Sequence, residues 1–367
     1  MKIKIHETKV ICENKNSLHG YFGWPSVAKL QDGTLAMVAS GFRYAHVCPF
    51  GKGIICYSED EGKTWSKPMI LIDTPIDDRD CGICTFGENG VIVTCLHDSV
   101  SFHRGALEWK NCIHEKDEPS KKYISAYLDI VEEKCKDSVF LNNSFYSTFK
   151  LSNNGGKSFE DEINFMPVTS PHGPCILPNG DILYVGTKLD AMNSTKNHGI
   201  LSYLIHSDKQ IDKIGEIEYP MDGLNFYEPH AVVSDGKVIV HIRAERKGVF
   251  TIYQCESYDY GKTFTMPHQI LSDKGGAPAH IIKYSDNTLI SLYGYREKPY
   301  GIRAMFSNDN GETWDTDNVI YADFASEDIG YPCTVELADG KLLTVYYAKR
   351  TSDSPAVIMQ TIWSFEK

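Results

Sequence analysis

The sequence predicts an all-β protein, a six-bladed β-propeller with a partly helical insertion in the second blade, on three observations. A turn motif of the form Ser-x-Asp-x-Gly-x-Thr-Trp recurs, a second hairpin motif recurs upstream of it, and long helical periodicity is nearly absent. Short strands that alternate with turns at regular spacing are typical of a propeller, in which each repeat forms one blade of four strands. We interpret residues 1–367 as a single propeller domain.

The turn motif has a physical basis in hairpin geometry. An Asp or Asn side chain bonds the amides of a turn, Gly adopts a positive φ, and the final aromatic residue anchors the loop by burial. The four copies are Ser58–Trp65, Ser152–Phe159, Ser257–Phe264 and Ser307–Trp314, of which the second is weaker.

The second motif marks the start of each repeat. A short apolar strand, a turn of the Asp-Gly or Asn-Gly type and another apolar strand begin near residues 24, 80, 171, 227, 277 and 330. The sixth unit reaches the C-terminus, so we expect the strand-like segment Lys2 to Ile11 to complete the last blade and to hide its edge. The segment from about Trp109 to Ser138 is predicted to be an insertion over the rim, helical around Lys121 to Lys134.

The composition narrows the classes of function. The formal net charge of −12 argues against a nucleic-acid partner, which needs a basic face. No apolar run is long enough for a membrane span, and the N-terminal segment lacks the features of a signal peptide, so we expect a cytoplasmic protein without a membrane partner. The eleven cysteines are interpreted as reduced thiols. No pattern indicates the oligomeric state, so a monomer and a homo-oligomer both stay open.

Six blades with these turns resemble the sialidase (neuraminidase) superfamily, in which the turns are called Asp boxes, or BNR repeats, and the fold is a six-bladed β-propeller. The resemblance covers nearly the whole chain. It implies a glycoside hydrolase of carbohydrate metabolism that needs no cofactor and no metal. In that family three Arg residues clamp a substrate carboxylate, a Tyr is the nucleophile with a Glu as its base, and an Asp is the acid/base. A covalent intermediate then gives retention of configuration.

Four residues stand where the resemblance places site residues. Glu228 opens the fourth unit and matches the base, and Arg243 follows as the second clamp residue. Arg303 precedes the last turn motif and matches the third clamp residue, and Tyr331 opens the sixth unit and matches the nucleophile. An Arg within an apolar strand must be paired or face a cavity, and a Tyr with a pKa near its usual value of about 10 needs a base.

The sequence departs from the family pattern at two places. Phe22–Pro25 has Gly and Trp where the family has the Arg and Ile of Phe-Arg-Ile-Pro, so the first clamp Arg is absent. The segment Gly41–Phe50, which should carry the acid/base Asp, contains no carboxylate. We therefore expect His46 or Asp80 to protonate the leaving oxygen, and the substrate to be a glycan with a terminal acidic or otherwise polar sugar.

Further residues are candidates for substrate binding. Arg43 is interpreted as a cation that compensates for the missing Arg, and Arg79 and Trp24 lie close to the same motifs. Three His residues stand at the starts of inner strands, where a metal site or an acid/base role is possible but hydrogen bonds to substrate hydroxyls or neighbouring blades are favoured. They are His172, His230 and His280.

Two other functions stay open at this point. One is a propeller glycosidase or polysaccharide lyase for oligosaccharides that contain uronic acid or rhamnose, with His as the acid/base. The other is a carbohydrate-binding propeller without turnover, since two catalytic positions of the family differ here.

Overall fold

The computed structural model describes residues 1–108, 118–136, 145–189, 199–272, 276 and 278–367. These residues form six antiparallel sheets and two helices, which confirms the predicted six-bladed β-propeller. First strands of neighbouring blades contact one another, so the sheets are arranged around a common axis.

The blades follow one another along the chain. The first strand, β1 (Lys2–Cys12), belongs to the last blade. Blade 1 consists of β2 (Tyr21–Lys29), β3 (Leu35–Arg43), β4 (Lys52–Ser58) and β5 (Met69–Ile72). Blade 2 consists of β6 (Asp78–Phe86), β7 (Gly90–His97), β8 (Tyr146–Ser152) and β9 (Asn164–Met166). Blade 3 consists of β10 (Val168–Thr169), β11 (Cys175–Ile176), β12 (Ile182–Lys188), β13 (Ile200–Ile205) and β14 (Ile211–Ile217).

The second half of the chain repeats this arrangement. Blade 4 consists of β15 (Asn225–Ser234), β16 (Lys237–Arg246), β17 (Val249–Ser257) and β18 (His268–Gln269). Blade 5 consists of β19 (Ala279–Lys283), β20 (Leu289–Tyr295), β21 (Gly301–Ser307) and β22 (Asp315–Tyr321). Blade 6 consists of β23 (Gly330–Glu336), β24 (Leu342–Lys349), β25 (Ala356–Glu366) and β1.

The two chain ends meet in blade 6. Strand β1 pairs antiparallel with β25, with Ile3 opposite Phe365 and Val10 opposite Met359. The N-terminal strand therefore completes the last blade, as the sequence predicts. This pairing covers the outward edge of β25, which would otherwise present unpaired backbone groups.

The turn motifs tie neighbouring blades together. In the first copy, Ser58 Oγ accepts a hydrogen bond from the Gly62 amide at 2.8 Å, and Asp60 Oδ1 accepts one from the Thr64 amide at 2.8 Å. The indole of Trp65 then donates to Oε1 of Gln360 in blade 6 at 2.8 Å. The turn thus fixes an aromatic side chain that bonds the adjacent blade.

The insertion lies between β7 and β8 of blade 2 and forms α1 (Val100–Ala106) and α2 (Glu118–Cys135). The predicted helix around Lys121 to Lys134 is confirmed, whereas the helical part begins before the predicted start at Trp109. The reason is local, because Ser99 accepts a hydrogen bond from the Phe102 amide at 3.1 Å and caps α1. Residues 109–117, 137 and 138 of the predicted range lie outside the described residues.

The two helices pack on the propeller through an apolar cluster. Leu128 and Val131 of α2 and Val100 of α1 are buried together with Ile76 and Tyr146. Neither helix is long and apolar enough to cross a lipid bilayer.

Candidate functional site

A repeated β-bulge positions the central side chains. In the first strands of blades 1, 2, 4 and 6, two residues oppose one residue of the next strand. The first bulged residue has a positive φ in each case, at Trp24 (54°), Asp80 (51°), Glu228 (46°) and Tyr331 (52°). Residues other than glycine rarely adopt a positive φ, and backbone strain of this kind is frequent at functional sites. The four bulges bring these residues of four blades into one group at the axis.

Tyr331 and Glu228 form the centre of this group. The Tyr331 hydroxyl donates a hydrogen bond to Oε1 of Glu228, and Nη1 of Arg243 donates to Oε2 at 2.7 Å. Burial alone would raise the pKa of Glu228, but the charge of Arg243 and the hydrogen bond from Tyr331 outweigh it and hold the pKa below its usual value. Burial, together with the charges of Glu228 and Asp80, raises the pKa of Tyr331 well above its usual value. The resting pair is therefore a phenol bonded to a carboxylate.

Arg296 is a cation of this centre that sequence reasoning missed. Its charge lowers the pKa of Glu228 and opposes the upward shift of the Tyr331 pKa. The guanidinium also donates to the Ile329 carbonyl at 3.2 and 3.1 Å from Nε and Nη2. Arg296 directly follows β20, the second strand of blade 5, and Arg243 lies near the end of β16, the second strand of blade 4. Comparing the sequences at the ends of these two strands would have identified Arg296 as a second candidate cation.

Arg303, which the sequence analysis places in the clamp, has different partners. Its Nε lies 3.4 Å from Oδ1 of Asp317, and its Nη1 donates to the Tyr321 carbonyl at 3.2 Å. The guanidinium also stacks on Tyr295, with Cζ 4.6 Å from the ring centroid. No contact among the described residues joins Arg303 to Glu228 or Tyr331.

Trp24 directly follows Gly23, which stands at the position of the missing first Arg. A Cβ atom on Gly23 would lie 3.2 Å from the Tyr21 ring, so a side chain at this position would require that ring to shift by a few tenths of an ångström. Trp24 is buried, and its ring lies edge-on to Tyr331 with centroids 6.4 Å apart. Two of the predicted substrate-binding cations stack on it, with Cζ of Arg79 at 4.2 Å and Cζ of Arg43 at 4.7 Å from the ring centroid.

The surroundings of Arg43 are those of a structural ion pair. Its guanidinium is bonded through both Nη atoms to the two oxygens of Asp77, and both side chains are 0% exposed. It also donates from Nη2 to the His46 carbonyl at 2.8 Å and from Nε to the Ala45 carbonyl at 3.2 Å. Arg43 therefore fixes the backbone of the loop that carries His46, and its guanidinium stacks on the Trp24 ring.

Asp80 lies beside Tyr331 and is 6% exposed. Burial raises the pKa of its carboxyl to about 6, with Glu228 adding to the shift and Arg79 opposing it. Arg79 Nε lies 3.7 Å from Oδ1 of Asp80, and the same guanidinium donates to Oδ2 of Asp98 at 3.2 Å. A carboxyl with such a pKa can hold a proton in weakly acidic solution.

His46 lies beside Trp24 and is hydrogen-bonded to Asp328, a residue that was not among the candidates from the sequence. Nδ1 of His46 lies 2.8 Å from Oδ1 of Asp328, and the Tyr21 hydroxyl donates to both oxygens of Asp328 at 3.0 and 3.1 Å. The His46 ring meets Trp24 edge-on, with centroids 5.0 Å apart. Asp328 immediately precedes the sixth unit, and the short polar segment before Tyr331 was the signal that could have found it.

The three buried His rings lie together beside Tyr331. Their centroids are 4.4 Å (His230 and His280), 5.1 Å (His172 and His280) and 5.6 Å (His172 and His230) apart. Nδ1 of His230 accepts from the Ile281 amide at 3.1 Å, and Nδ1 of His280 accepts from the Thr334 amide at 3.3 Å. Burial lowers the pKa of all three rings well below the usual value, so they are neutral.

These hydrogen bonds fix the tautomers. Because Nδ1 accepts in His230 and His280, their Nε2 atoms carry the ring protons and offer no lone pair to a metal. Ser26 donates its own hydrogen to the Pro171 carbonyl at 2.9 Å, so its oxygen accepts from Nδ1 of His172 at 3.3 Å. The two bonds to neighbouring blades fit the favoured interpretation of the sequence, whereas a metal site here would need different tautomers.

Among the described residues, two other buried clusters have side chains close enough together to bind a metal ion. In both clusters at least one of these side chains already has a hydrogen-bond or ion-pair partner. In the first, His97 Nδ1 lies 2.8 Å from Oδ1 of Asp78. In the second, Asp77 is bonded by Arg43. The members are Asp78, Cys95 and His97 in one group and Asp77, Asp98 and His103 in the other. These bonds indicate structural networks.

Several buried polar atoms near Tyr331 have no hydrogen-bond partner within the described part of the chain. They are Arg79 Nε, Asp80 Oδ1, His172 Nε2, Arg243 Nε and Tyr347 Oη, the last on a ring whose centroid lies 5.9 Å from that of Tyr331. Each belongs to a residue that contacts Tyr331 or interacts with it electrostatically. Buried polar atoms are normally paired, so this set of donors and acceptors indicates a place for a polar ligand.

Comparisons with known proteins agree with this fold. No family model matches the chain, and no curated protein sequence matches it. A solved structure of a protein of unknown function from Dyadobacter fermentans has a TM-score of 0.76 and 21% identity, with 100% of each chain covered. The NanB sialidase from Streptococcus pneumoniae has a TM-score of 0.69 and 15% identity, over 98% of this chain and 70% of that one.

A third solved structure extends the comparison to another activity. The intramolecular trans-sialidase from Ruminococcus gnavus has a TM-score of 0.65 and 14% identity, over 98% of this chain and 97% of that one. Identities at this level establish the fold and leave the activity to be argued from the site. The chain therefore has the sialidase-like six-bladed β-propeller fold.

Proposed function

We propose that this protein is a sialidase-like exo-glycoside hydrolase that removes a terminal acidic or otherwise polar sugar from a glycan with retention of configuration. The observation that carries the proposal is the Tyr331 hydroxyl bonded to Glu228, with Arg243 on the other carboxylate oxygen. A phenol bonded to a carboxylate is the arrangement of a nucleophile with its base. Glu228 lies in β15 and Tyr331 in β23, the first strands of their blades, which supports a site near the propeller axis.

In the first chemical step, Glu228 takes the phenolic proton while the Tyr331 oxygen attacks the anomeric carbon. The bond to the leaving oxygen breaks, and that oxygen takes a proton from an acid of the site. Water then attacks the anomeric carbon of the glycosyl-tyrosine and gives one proton to the acid that was deprotonated in the first step. The bond from the anomeric carbon to the Tyr331 oxygen breaks, and Glu228 returns the phenolic proton to Tyr331. Two displacements at one carbon retain its configuration.

Arg243 and Arg296 supply positive charge for an anionic substituent of the sugar. Both guanidiniums act electrostatically on Tyr331 and Glu228, so an anion held by them would lie next to the nucleophile. Arg binds planar carboxylates in a bidentate manner and keeps its charge at every physiological pH. Gly23 stands where the family pattern has its first Arg, which argues for a clamp of two Arg residues in place of three.

The chain offers two groups as the proton donor, Asp80 and His46. Asp80 is buried beside Tyr331, whereas the His46 side chain is 44% exposed. In an exo-acting enzyme the leaving part of the glycan points to solvent, and the exposure of His46 therefore supports it as the proton donor to the leaving oxygen. Asp80 Oδ1 has no hydrogen bond among the described residues, although Arg79 Nε lies 3.7 Å away, and we assign it the role of accepting from a hydroxyl of the sugar ring.

Proton NMR of the purified protein with a defined glycan panel tests the proposal. The panel holds 3′-sialyllactose and a mixture of oligosaccharides that end in a uronic acid, and the spectra follow anomeric and vinylic protons. We expect one acidic sugar to be released first as the retained anomer. A new vinylic proton would favour the lyase, and binding without any product would favour a carbohydrate-binding protein; either result would contradict the proposal.

A further inference from the structure

We propose that Asp328 and His46 form a proton-transfer dyad, in which Asp328 holds Nδ1 of His46 so that Nε2 exchanges a proton with the glycosidic oxygen. This inference rests on the proposed function and assigns a role to Asp328, which lies outside the segment expected to carry the acid. In the dyad His46 is the catalytic residue, and Asp328 is a positioning residue.

The hydrogen bonds around Asp328 define the tautomer of His46. Oδ1 of Asp328 lies 2.8 Å from Nδ1 of His46, and the Tyr21 hydroxyl donates to both carboxylate oxygens. An ionised carboxylate can only accept, so Nδ1 of His46 carries a proton. Nε2 then holds either the lone pair or the second proton, and no described residue bonds it. This is the nitrogen that remains available to a substrate.

Asp328 remains ionised when the ligand site is empty. Burial would raise the pKa of its carboxyl, but the hydrogen bond and charge of His46 and the charge of Lys349 outweigh it and hold the pKa below the usual range. Lys349 Nζ lies 3.6 Å from Oδ2 of Asp328, and the Tyr21 hydroxyl adds to this effect. The carboxylate thus stabilises the imidazolium form of His46 during proton transfer.

The position of the His46 ring is fixed from two sides. Arg43 donates to the carbonyls of Ala45 and His46, which anchors the loop backbone to the buried pair with Asp77. Trp24 contacts the ring edge-on and in turn contacts Tyr331. An acid held by packing and by hydrogen bonds needs little reorganisation when the substrate binds.

His46 is also more exposed to solvent than Asp328 and Asp80. Its side chain is 44% exposed, whereas that of Asp328 is 16% exposed and Asp80 is buried. The charged and titratable groups that face the ring are Asp328, Tyr21, Arg43 and Arg79. Burial and the two Arg charges lower the pKa of His46, while the hydrogen bond and the charge of Asp328 raise it. Loss of Asp328 therefore removes the group that favours the protonated acid.

The steps balance without a further reactant. As the bond from the anomeric carbon to the leaving oxygen breaks, the proton on Nε2 passes to that oxygen, and the Tyr331 oxygen forms the new bond. In the second step, neutral Nε2 takes a proton from the attacking water while the bond to Tyr331 breaks. Asp328 keeps its negative charge throughout, so it orients the ring without becoming protonated.

The first arm of the test is nitrogen-15 NMR of the imidazoles in the ligand-free protein. His46→Gln identifies the His46 signals, and spectra of the wild type and of Asp328→Asn are then compared. We expect the Nδ1–H tautomer in the wild type, and in Asp328→Asn a lower His46 pKa with partial loss of this tautomer. An Nε2–H tautomer in the wild type, or an unchanged pKa and tautomer in Asp328→Asn, would overturn the dyad. Tyr21→Phe is the second variant if Asp328→Asn does not fold. It removes a donor that competes with Nδ1 for the Asp328 carboxylate, so we expect the Nδ1–H tautomer to be kept and the His46 pKa to rise, and a lowered His46 pKa would overturn the dyad.

The second arm measures the dependence of the rate on the leaving group. The probes are the 4-nitrophenyl, phenyl and methyl α-glycosides of N-acetylneuraminic acid and the matching β-glycosides of glucuronic acid. Nitrophenolate leaves without a proton, so His46→Gln should keep most of the kcat/KM on the nitrophenyl glycoside, although kcat falls because the attacking water has lost its base. On the methyl glycoside it should lose roughly 10²–10⁴-fold in kcat/KM. Asp328→Asn should show the same trend with a smaller loss.

His19→Gln is the matched control, because His19 also bonds through Nδ1, to the Phe42 carbonyl at 3.0 Å, and has no part in the proposed mechanism. An unchanged leaving-group dependence in His46→Gln, with turnover preserved, would overturn the dyad and leave the proposed function standing. Absence of turnover of every probe by the wild type would overturn the proposed function and with it the catalytic role of the dyad, whatever the tautomer is.

Discussion

The phenol of Tyr331 in blade 6 donates a hydrogen bond to Oε1 of Glu228 in blade 4. Both residues occupy the first position of a β-bulge and have a positive φ, and each begins a repeat of the propeller. The same bulge that re-aims these side chains also re-aims Trp24 and Asp80. The repeated architecture therefore supplies the geometry, and the residue type at each bulge decides the chemistry.

We predict that Tyr331→Phe removes hydrolysis, because it deletes the attacking oxygen. Glu228→Gln should lower kcat by roughly 10²–10⁴-fold, since an amide cannot take the phenolic proton. Steady-state kinetics on the glycan released in the NMR panel would measure both. A Tyr331→Phe variant with wild-type kcat would show that another nucleophile acts.

Arg296→Ala should lower thermal stability less than Arg303→Ala does, because among the described residues Arg296 is hydrogen-bonded to the Ile329 carbonyl without a carboxylate partner, and it should raise KM for an anionic glycan about tenfold or more. The reason is that a hydrogen bond to a charged group contributes about 1.5–3 kcal/mol. Arg303→Ala is the matched control, because its guanidinium is held by Asp317 and by backbone carbonyls. We expect it to keep the KM and to lower the melting temperature. The reverse pattern would return the anion clamp to Arg303.

The pH dependence of stability should change in Asp80→Asn. The pKa of Asp80 is raised from 3.8 to about 6 in the folded protein, so the folded state binds more protons than the unfolded state between these values. Stability of the wild type therefore falls as pH rises through this window, by up to about 3 kcal/mol from this group. Melting temperatures at pH 4 and pH 7 should show Asp80→Asn gaining on the wild type at the higher pH. A constant difference would contradict the raised pKa.

Asp77→Asn should destabilise the fold by about 3–5 kcal/mol, because it leaves the buried Arg43 without its counter-charge. Asp73→Asn is the matched control, since Asp73 forms an exposed ion pair with Lys52 whose loss changes stability by at most about 1 kcal/mol. Chemical denaturation of the three proteins gives the comparison. Equal losses in both variants would mean that the pair with Arg43 contributes no more than a surface pair.

The fold was predictable from the sequence because turns are local. The Ser, Asp and Gly of each turn motif bond within a few residues, and the repeat start marks each blade. The pairing of Tyr331 with Glu228, which are 103 residues apart, followed from the resemblance to the sialidase superfamily, in which a Tyr nucleophile has a Glu as its base. Neither the turn motif nor the repeat start marks a hydrogen-bond partner that lies in a loop.

Arg296 and Asp328 show where the sequence was insufficient. Arg296 acts across blades on Glu228, and Asp328 binds His46 from 282 residues away. Arg303, in contrast, matched an expected position, but its side chain forms an ion pair with Asp317 in the neighbouring strand. The direction of a long side chain depends on the carboxylates that surround it in the fold, and a motif does not contain that information.

Covalent trapping tests the central claim most directly. The wild type is incubated with 3-fluorosialosyl fluoride and, separately, with 2-deoxy-2-fluoro-glucuronosyl fluoride, and intact-mass and peptide mass spectrometry locate any adduct. We predict one glycosyl adduct on Tyr331, absent from Tyr331→Phe and accompanied by loss of activity. An adduct on another residue, or turnover of either fluoride with no adduct and with the inverted anomer as product, would contradict a Tyr331 nucleophile activated by Glu228.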